Sequence, residues 1–443
     1  MSTSPLQAAA AVLEAAGVGA RSRLCCALSG GVDSIVLLDL LAGLQSRFGH
    51  ALCAAHVNHG LNPAASAWQA HCTALCSHRG IPFIAFTVDV ARDDPEGLES
   101  AARKARHAVL ETVECDWLVF GHHRDDQAET VLFRLFRGTG LRGASAMVAV
   151  EPGAEGRAGR LRPMLGFGRA DIRDWAHAHA LTWVEDDSNT DCRFARNDIR
   201  HRILPAIETA YPSASASIAR AAAHFREASD LLDELAASDE HACGGRMLRR
   251  DGVLALSDAR VANLLRWQAR RCGMPAPSRA RLLEALRQLR AAPAVRPLYF
   301  PLGDLACCAY RGEVWLESVG GGLPAPCHWG GTAAVEKPWG DGRVVFSAAK
   351  GRGIARAALD QAAKLSLVTR SAGLRMRLAP ERPSRTFKNL CQEAGIPAWM
   401  RDRLPVLEVD GSVAWIGGVG IDAAFACPPG DEGFVPEWVP VSS

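Results

Sequence analysis

Six residues constrain this chain more than any others: Ser29-Gly30-Gly31-Val32-Asp33-Ser34. An apolar run, Leu24 to Leu28, leads in and another, Ile35 to Leu44, leads out, so the stretch reads as a strand, a tight glycine turn and a helix. Adjacent glycines reach backbone angles closed to other residues, which lets several N–H groups turn onto one anion. The N-terminal end of the helix brings its partial positive charge to the same spot. Ser29 and Ser34 offer hydroxyl donors, and Asp33 is placed to orient a turn amide or a magnesium ion. The predicted ligand is a polyphosphate. A Walker loop is excluded, because the Gly-x4-Gly-Lys-Ser/Thr spacing is absent and no lysine follows the glycines. The plain alternative is a glycine turn whose serine merely caps a helix.

At 443 residues the chain is long for one core, and at roughly 100 to 200 residues per domain it predicts two or three. Hydrophobic residues at 48% and charged residues at 22% are ordinary for a globular protein able to bury such cores. Because net charge is only +2, any surface for nucleic acid has to be local. The fourteen cysteines contain no C-x-x-C pair and the N-terminus lacks a signal pattern, which predicts a reduced, cytoplasmic protein. No apolar run approaches the roughly 20 residues that span a bilayer, so no membrane partner is expected.

Taken in order, strands are predicted at Leu24 to Leu28, Ala51 to Val57, Ile81 to Val88 and Trp117 to Phe120, with helices between them. That alternation implies a parallel sheet covered by helices on both faces, an α/β domain over residues 1–212. Ligands of such sheets lie at the carboxyl ends of the strands. Three strand ends carry unusual residues: Ser29 to Ser34, His56 to Gly60 and Gly121 to Glu129. They are expected to converge on one crevice. Residues 213–322 read as a helical middle domain, with helices at 213–240, 258–272 and 278–291. After the linker Gly320-Gly321-Gly322, short strands around one helix near 386–394 predict a small α+β domain over 323–443.

The second motif is Gly121-His122-His123-Arg124-Asp125-Asp126-Gln127-Ala128-Glu129-Thr130. On a helix beginning near Arg124, Asp126 and Glu129 share a face, where two carboxylates can hold an ammonium group or a magnesium ion. An acid-rich first turn that complements the helix dipole would explain Asp125 but not the paired histidines. In Glu99 to Arg106, Arg103 and Arg106 lie three apart, which suits either phosphate binding or a salt-bridged surface helix. Glu185-Asp186-Asp187-Ser188-Asn189 precedes Arg193, Arg196, Arg200 and Arg202, of which Arg196 and Arg200 share a face and could clamp phosphates. The loop Arg137 to Gly143 has glycines that would permit a mobile flap. From Arg370 to Arg403, eight cations stand against three acids, a basic patch on a nearly neutral protein. A patch of that kind suits RNA phosphates, though a solvated arginine-rich face is the competing reading.

These segments together resemble the PP-loop ATP pyrophosphatases and, within them, one family closely: the tRNA(Ile)-lysidine synthetases. The shared stretches are the SGGxDS turn, HVNHGL, GHHxDDQAET, RGTGxRG and E-D-x-S-N...R-N-x-x-R, and the likeness returns over Thr386 to Leu390 and Pro397 to Pro405. The resemblance implies an adenine-nucleotide α-hydrolase-like N-terminal fold and an AMP-forming ligase. It would join free L-lysine to C2 of the wobble cytidine in the CAU anticodon of tRNA(Ile) through an adenylated cytidine, releasing diphosphate and AMP and moving decoding from AUG to AUA. By the same likeness ATP, with Mg2+, would sit among Ser29, Gly30, Gly31, Val32, Asp33, Ser34, His56 and Gly121, with Asp33 touching the metal. Asp126 and Glu129 would hold lysine, and Arg103 and Arg196 would stabilise phosphate or the activated base. Arg137, Arg142, Arg200, Arg377, Arg382, Arg385, Lys388, Trp399, Arg401 and Arg403 would contact tRNA. The sequence leaves the oligomeric state open, a homodimer included. Three rivals stand beside it: a PP-loop tRNA thiolase, which would want a C-x-x-C site or a catalytic cysteine; an amidotransferase-type synthetase for a small metabolite, which would not need the basic C-terminal domain; and a catalytically silent RNA-binding homologue.

Overall fold

A computed structural model of the protein describes residues 4–90, 98–154, 156–185, 195–293, 296–319, 322–330, 336–340 and 342–440. The chain divides into two compact units, Met1–Leu231 and Leu232–Ser443.

The first unit is built on a six-stranded sheet. Its elements are α1 (Pro5–Ala15), β1 (Arg23–Ala27), α2 (Val32–Phe48), β2 (Ala51–Asn58), α3 (Ala65–His78), β3 (Phe83–Thr87), α4 (Leu98–Leu110), β4 (Trp117–Val119), α5 (Arg124–Phe136), α6 (Leu141–Ala144), β5 (Val150–Glu151), β6 (Gly159–Leu161) and α7 (Arg169–Ala178). The strand order is β3-β2-β1-β4-β6-β5, parallel throughout except at the β5 edge. A parallel sheet needs cover on both faces, and the sequence of β1 supplies it residue by residue. Leu24, Cys26 and Leu28 enter a core with α1, α2 and α7, while Cys25 enters a second core with Ala55, Val57, Leu118 and Phe120. Alternate side chains therefore serve opposite faces, as strand geometry requires. The helix α2 is apolar on most sides and buries eight residues beneath the nucleotide turn. It ends at Gly49, whose φ of 72° is the left-handed conformation that stops a helix.

Beyond α7 come α8 (Ala195–Asp198), a π-helical turn over Ile199–Ile203, α9 (Leu204–Ala210) and the long α10 (Ala214–Ala242).

The second unit holds the helices Asp258–Arg271 and Arg279–Ala291, each started by a serine, Ser257 or Ser278, whose hydroxyl accepts a first-turn N–H. The helical middle region also carries a four-stranded antiparallel sheet of Leu248–Arg249, Leu298–Pro301, Leu305–Tyr310 and Glu313–Ser318, in which Cys307 and Cys308 are buried. Further on, a five-stranded sheet and a four-stranded sheet surround a core of Trp339, Leu365, Leu407 and Trp415. The strand Gly342–Lys350 pairs along its whole length with Glu432–Pro440. Among the described residues no helix is long and apolar enough to cross a membrane.

Candidate active site

The turn is held in shape by one hydroxyl. Ser34 Oγ accepts from the N–H of Ser29 at 3.2 Å and of Gly30 at 3.1 Å, and donates to Gly31 O at 2.9 Å. The amides of Ser29 and Gly30 are thus engaged inside the turn. Gly31 caps α2 and has no side chain to bond its first N–H groups, so among the described residues the cap leaves the helix N-terminus to an outside anion. Gly30 has a φ of +95°, and a Cβ there would stand 2.9 Å from Val184 Cγ2 and 3.2 Å from Cys72 Sγ. Val184 donates its N–H to Gly30 O at 3.0 Å, so the segment that leads into the acidic run docks on the turn.

The neighbouring strand ends converge on it. His56, buried at the end of β2, places Nδ1 2.9 Å from Leu28 O, and burial lowers its pKa. Gly121 lies so close that a Cβ would be 3.0 Å from Asp33 O and 3.3 Å from Ser34 N. Two motifs almost ninety residues apart therefore touch through backbone.

His123 caps α5 in an extended conformation and donates its N–H to Asp126 Oδ2 at 3.0 Å. Its ring is buried among three carboxylates: Nε2 lies 3.5 Å from Asp126 and 3.8 Å from Asp33, and Nδ1 lies 3.6 Å from Asp125. Burial pushes the Asp33 carboxyl up, helped by the charge of Asp126 and opposed by His123 and arginines. Among the described residues Asp33 Oδ1 is buried without a hydrogen-bond partner. Burial would also raise Asp126, but His123 and Arg200 outweigh it and hold that carboxyl below its usual range. His122 stacks on Phe120 with ring centroids 5.7 Å apart, and burial drives its pKa down to about 3, so it is neutral at pH 7.

The helical register places Asp126 and Glu129 on one buried face of α5. A cation already sits there. Arg200 Nε donates to Glu129 Oε1 at 2.6 Å, and its Nη2 reaches Glu129 Oε2 at 2.9 Å and Asp126 Oδ1 at 2.8 Å. Arg196 stands behind, with Nε 3.7 Å from Glu129 and Nη2 donating to Thr130 Oγ1 at 3.3 Å. Arg103 is exposed on α4, whereas Arg106 of the same helix has a buried Nε with no hydrogen-bond partner among the described residues, and burial followed by the charge of Arg196 lowers its pKa. Sequence spacing treated Arg103 and Arg106 alike and gave no means of separating them. Asp186 to Asn189 and Arg193 lie outside the described residues.

Arg137 is exposed and stacks on Phe133 at 5.3 Å, and Arg142 is exposed in the next turn. The segment between and beyond them is tied down: Arg134 donates to Gly143 O at 2.8 Å, Gln127 exchanges two 2.8 Å bonds with Met147, and Arg226 donates to Ser145 O at 2.6 Å.

In the second unit, Arg375–Met376 pairs with Arg385–Thr386, and the helix Phe387–Glu393 follows. Arg377, Arg382, Arg385 and Lys388 are exposed on or beside that hairpin. Arg385 faces Glu393 at 3.4 Å, and the half-buried Arg401 folds back on Ile396 O. The indole of Trp399 donates to Glu317 at 3.0 Å, and its ring meets Tyr299 and Trp315.

An open helix N-terminus on a double-glycine turn, at the carboxyl edge of a parallel sheet, with buried carboxylates beside it, defines an ATP-utilising enzyme of the PP-loop class. The family model described as the PP-loop domain matches residues 5–207, that of the TilS substrate binding domain 248–315, and that of the TilS substrate C-terminal domain 365–438. The chain belongs to the tRNA(Ile)-lysidine synthase family. It is 57% identical to the tRNA(Ile)-lysidine synthase of Azoarcus sp. over 98% of this chain and 95% of that one. It is 56% identical to that of Aromatoleum aromaticum over 96% of this chain and all of that one. A solved TILS C-terminal domain covers 27% of this chain and 100% of its own at 20% identity, with a TM-score of 0.23.

Proposed function

We propose that the chain ligates free L-lysine to C2 of the wobble cytidine in the CAU anticodon of tRNA(Ile), consuming ATP. The cytidine C2 oxygen attacks the α-phosphorus and diphosphate departs. The side-chain amine of lysine, once deprotonated to free its lone pair, attacks C2, AMP leaves with the oxygen, and the proton left on the newly bonded nitrogen passes to solvent. The altered base pairs with A, so the anticodon reads AUA in place of AUG. Neither step needs a protein nucleophile, and the protein's share is positioning and charge stabilisation.

The observation that carries this reading is the backbone contact of Gly121 with Asp33 and Ser34, which puts the nucleotide turn and the acidic face of α5 within one substrate's reach. The open end of α2 receives the triphosphate. Magnesium takes few carboxylates and keeps company with phosphates, and the orphaned Asp33 Oδ1 is a donor of that kind. There it would neutralise phosphate charge. Asp126 and Glu129 seat the lysine ammonium, Arg103 and Arg196 face phosphate, and the exposed cations of the 375–388 hairpin grip the tRNA backbone away from the anticodon. Action on tRNA implies a cytoplasmic setting. A thiolase is not favoured, since relatives matched over nearly the whole chain carry the synthase name.

Mass analysis of nucleosides from tRNA incubated with the protein, ATP and lysine tests it. Lysine added to one cytidine, with diphosphate released in equal amount, is expected. Diphosphate released without modified nucleoside would overturn the proposal, and no turnover at all would favour a catalytically silent binding protein.

A further inference from the structure

The face of α5 assigned to lysine is filled in this structure by the protein's own cation. Arg200 occupies both oxygens of Glu129 and one of Asp126, at 2.6 to 2.9 Å. A forked guanidinium on a carboxylate is among the stronger polar contacts a protein makes, and Glu129 is only 1% exposed. Removing the cation with nothing in its place would leave two charges buried side by side, which is costly. Each carboxylate oxygen can accept a second hydrogen bond, but Glu129 is buried and the guanidinium lies along both of its oxygens. An ammonium group that seats itself against them therefore competes with Arg200 for the same face.

The backbone under Arg200 suits such a replacement. Ile199–Ile203 is a π-helical turn set between two α-helical stretches, α8 and α9. A π turn winds one residue more per hydrogen-bonded loop than an α turn does, is rare, and gathers at functional sites. Returning it to α register would change the helical phase by about 100°, one residue's step, across the turn that carries Arg200. Arg200 is also near enough to Asp33 of the nucleotide turn for the two charges to act on each other.

We propose that Arg200 is a positioning residue with two seats: it holds Asp126 and Glu129 until lysine arrives, then yields to the lysine ammonium and moves to the phosphate of the activated cytidine. This rests on the lysine seat proposed above. The charge on the carboxylate pair is matched before and after exchange, so neither state leaves a bare buried carboxylate. The exchange makes the amine's entry and the neutralising of the leaving phosphate a single event. It also makes lysine compete with an internal ligand, so lysine binds more weakly than the bare carboxylates would allow.

The test uses the full chain with Arg200→Gln, Arg200→Lys and Glu129→Gln. Lysine affinity is read from the rise of the unfolding midpoint with added L-lysine in the absence of tRNA, and KM and kcat from turnover with ATP and tRNA. Arg200→Gln is expected to bind lysine about tenfold more tightly, the size of an ordinary coupling between two ligands, while kcat falls at least about tenfold because the phosphate has no partner there. Arg200→Lys keeps the charge but not the fork, so it should also bind lysine more tightly and recover part of kcat. A purely structural arginine would lower both without tightening lysine. If folded Arg200→Gln binds lysine no better than the parent, the exchange is wrong; should that variant not fold, Arg200→Lys decides on the same readouts. An unchanged kcat would remove the phosphate seat. Glu129→Gln separates the two layers: if it leaves lysine dependence untouched, the lysine seat itself falls, whereas weakened lysine there beside unaltered lysine in Arg200→Gln refutes only the exchange.

Discussion

Gly121 does for the site what no side chain could. Its α-carbon sits against the Asp33–Ser34 peptide, and a methyl group there would stand 3.0 Å from a backbone oxygen that has no rotamer to escape into. Gly121→Ala should therefore push the nucleotide turn aside and raise the ATP requirement about tenfold, since small misplacements near reacting groups are expensive. An ATP KM equal to the parent's would show that the contact is incidental. The buried histidines give a second test at this scale. Burial, with Arg106 and Arg103 behind it, lowers His107 to about 4 from an ordinary 6.5. Between those values the unfolded chain binds the proton and the folded chain does not, so stability falls as pH drops from 6.5 toward 4. His122, at about 3, adds to the same slope. In urea unfolding at pH 7 and pH 5, His107→Gln should lose about 1 kcal/mol less than the parent over that interval, the side chain being half-buried and partly screened. Sequence could place Asp126 and Glu129 on one face because helical period does so. It could not show that Arg200, seventy residues on, lies across them, because that contact belongs to the packing of a π turn against α5.

The elements follow the same division. The parallel strands and α2 were legible from their apolar runs, and α5 from the acids after His123, since each rests on local pattern. The antiparallel sheet of the middle region was not: its strands are two to six residues long, and Cys307-Cys308 reads equally well as core filler. The basic hairpin around Arg375 and Arg385 is an element whose function can be measured. Arg385→Ala together with Lys388→Ala should weaken tRNA binding and lessen its salt dependence by about two counterions, one for each phosphate that is no longer neutralised. ATP binding should not change. An equal loss of both would assign the effect to misfolding.

For the molecule as a whole, the motifs named the chemistry while the packing decided which residues stand near it. Trp399 illustrates the difference. Its setting in a cationic stretch suggested contact with RNA, yet its indole reaches Glu317 and its ring packs on Tyr299 and Trp315, joining the C-terminal part of the second unit to the middle sheet. Trp399→Ala should lower the stability of that unit by about 2 kcal/mol, because the ring no longer packs and its hydrogen bond to Glu317 is gone. A change in tRNA affinity with no shift in the unfolding midpoint would return Trp399 to the RNA surface.

The hydroxyl of Ser34, which gathers two amides and a carbonyl of its own turn, means that the shape of the bend is set by bonds within the protein and draws on no contact to the nucleotide. Ordering that bend is charged to the folding of the domain, so binding energy is left for the reacting phosphates. A chain without this hydroxyl could still fold, but each arriving nucleotide would then have to organise its own cradle.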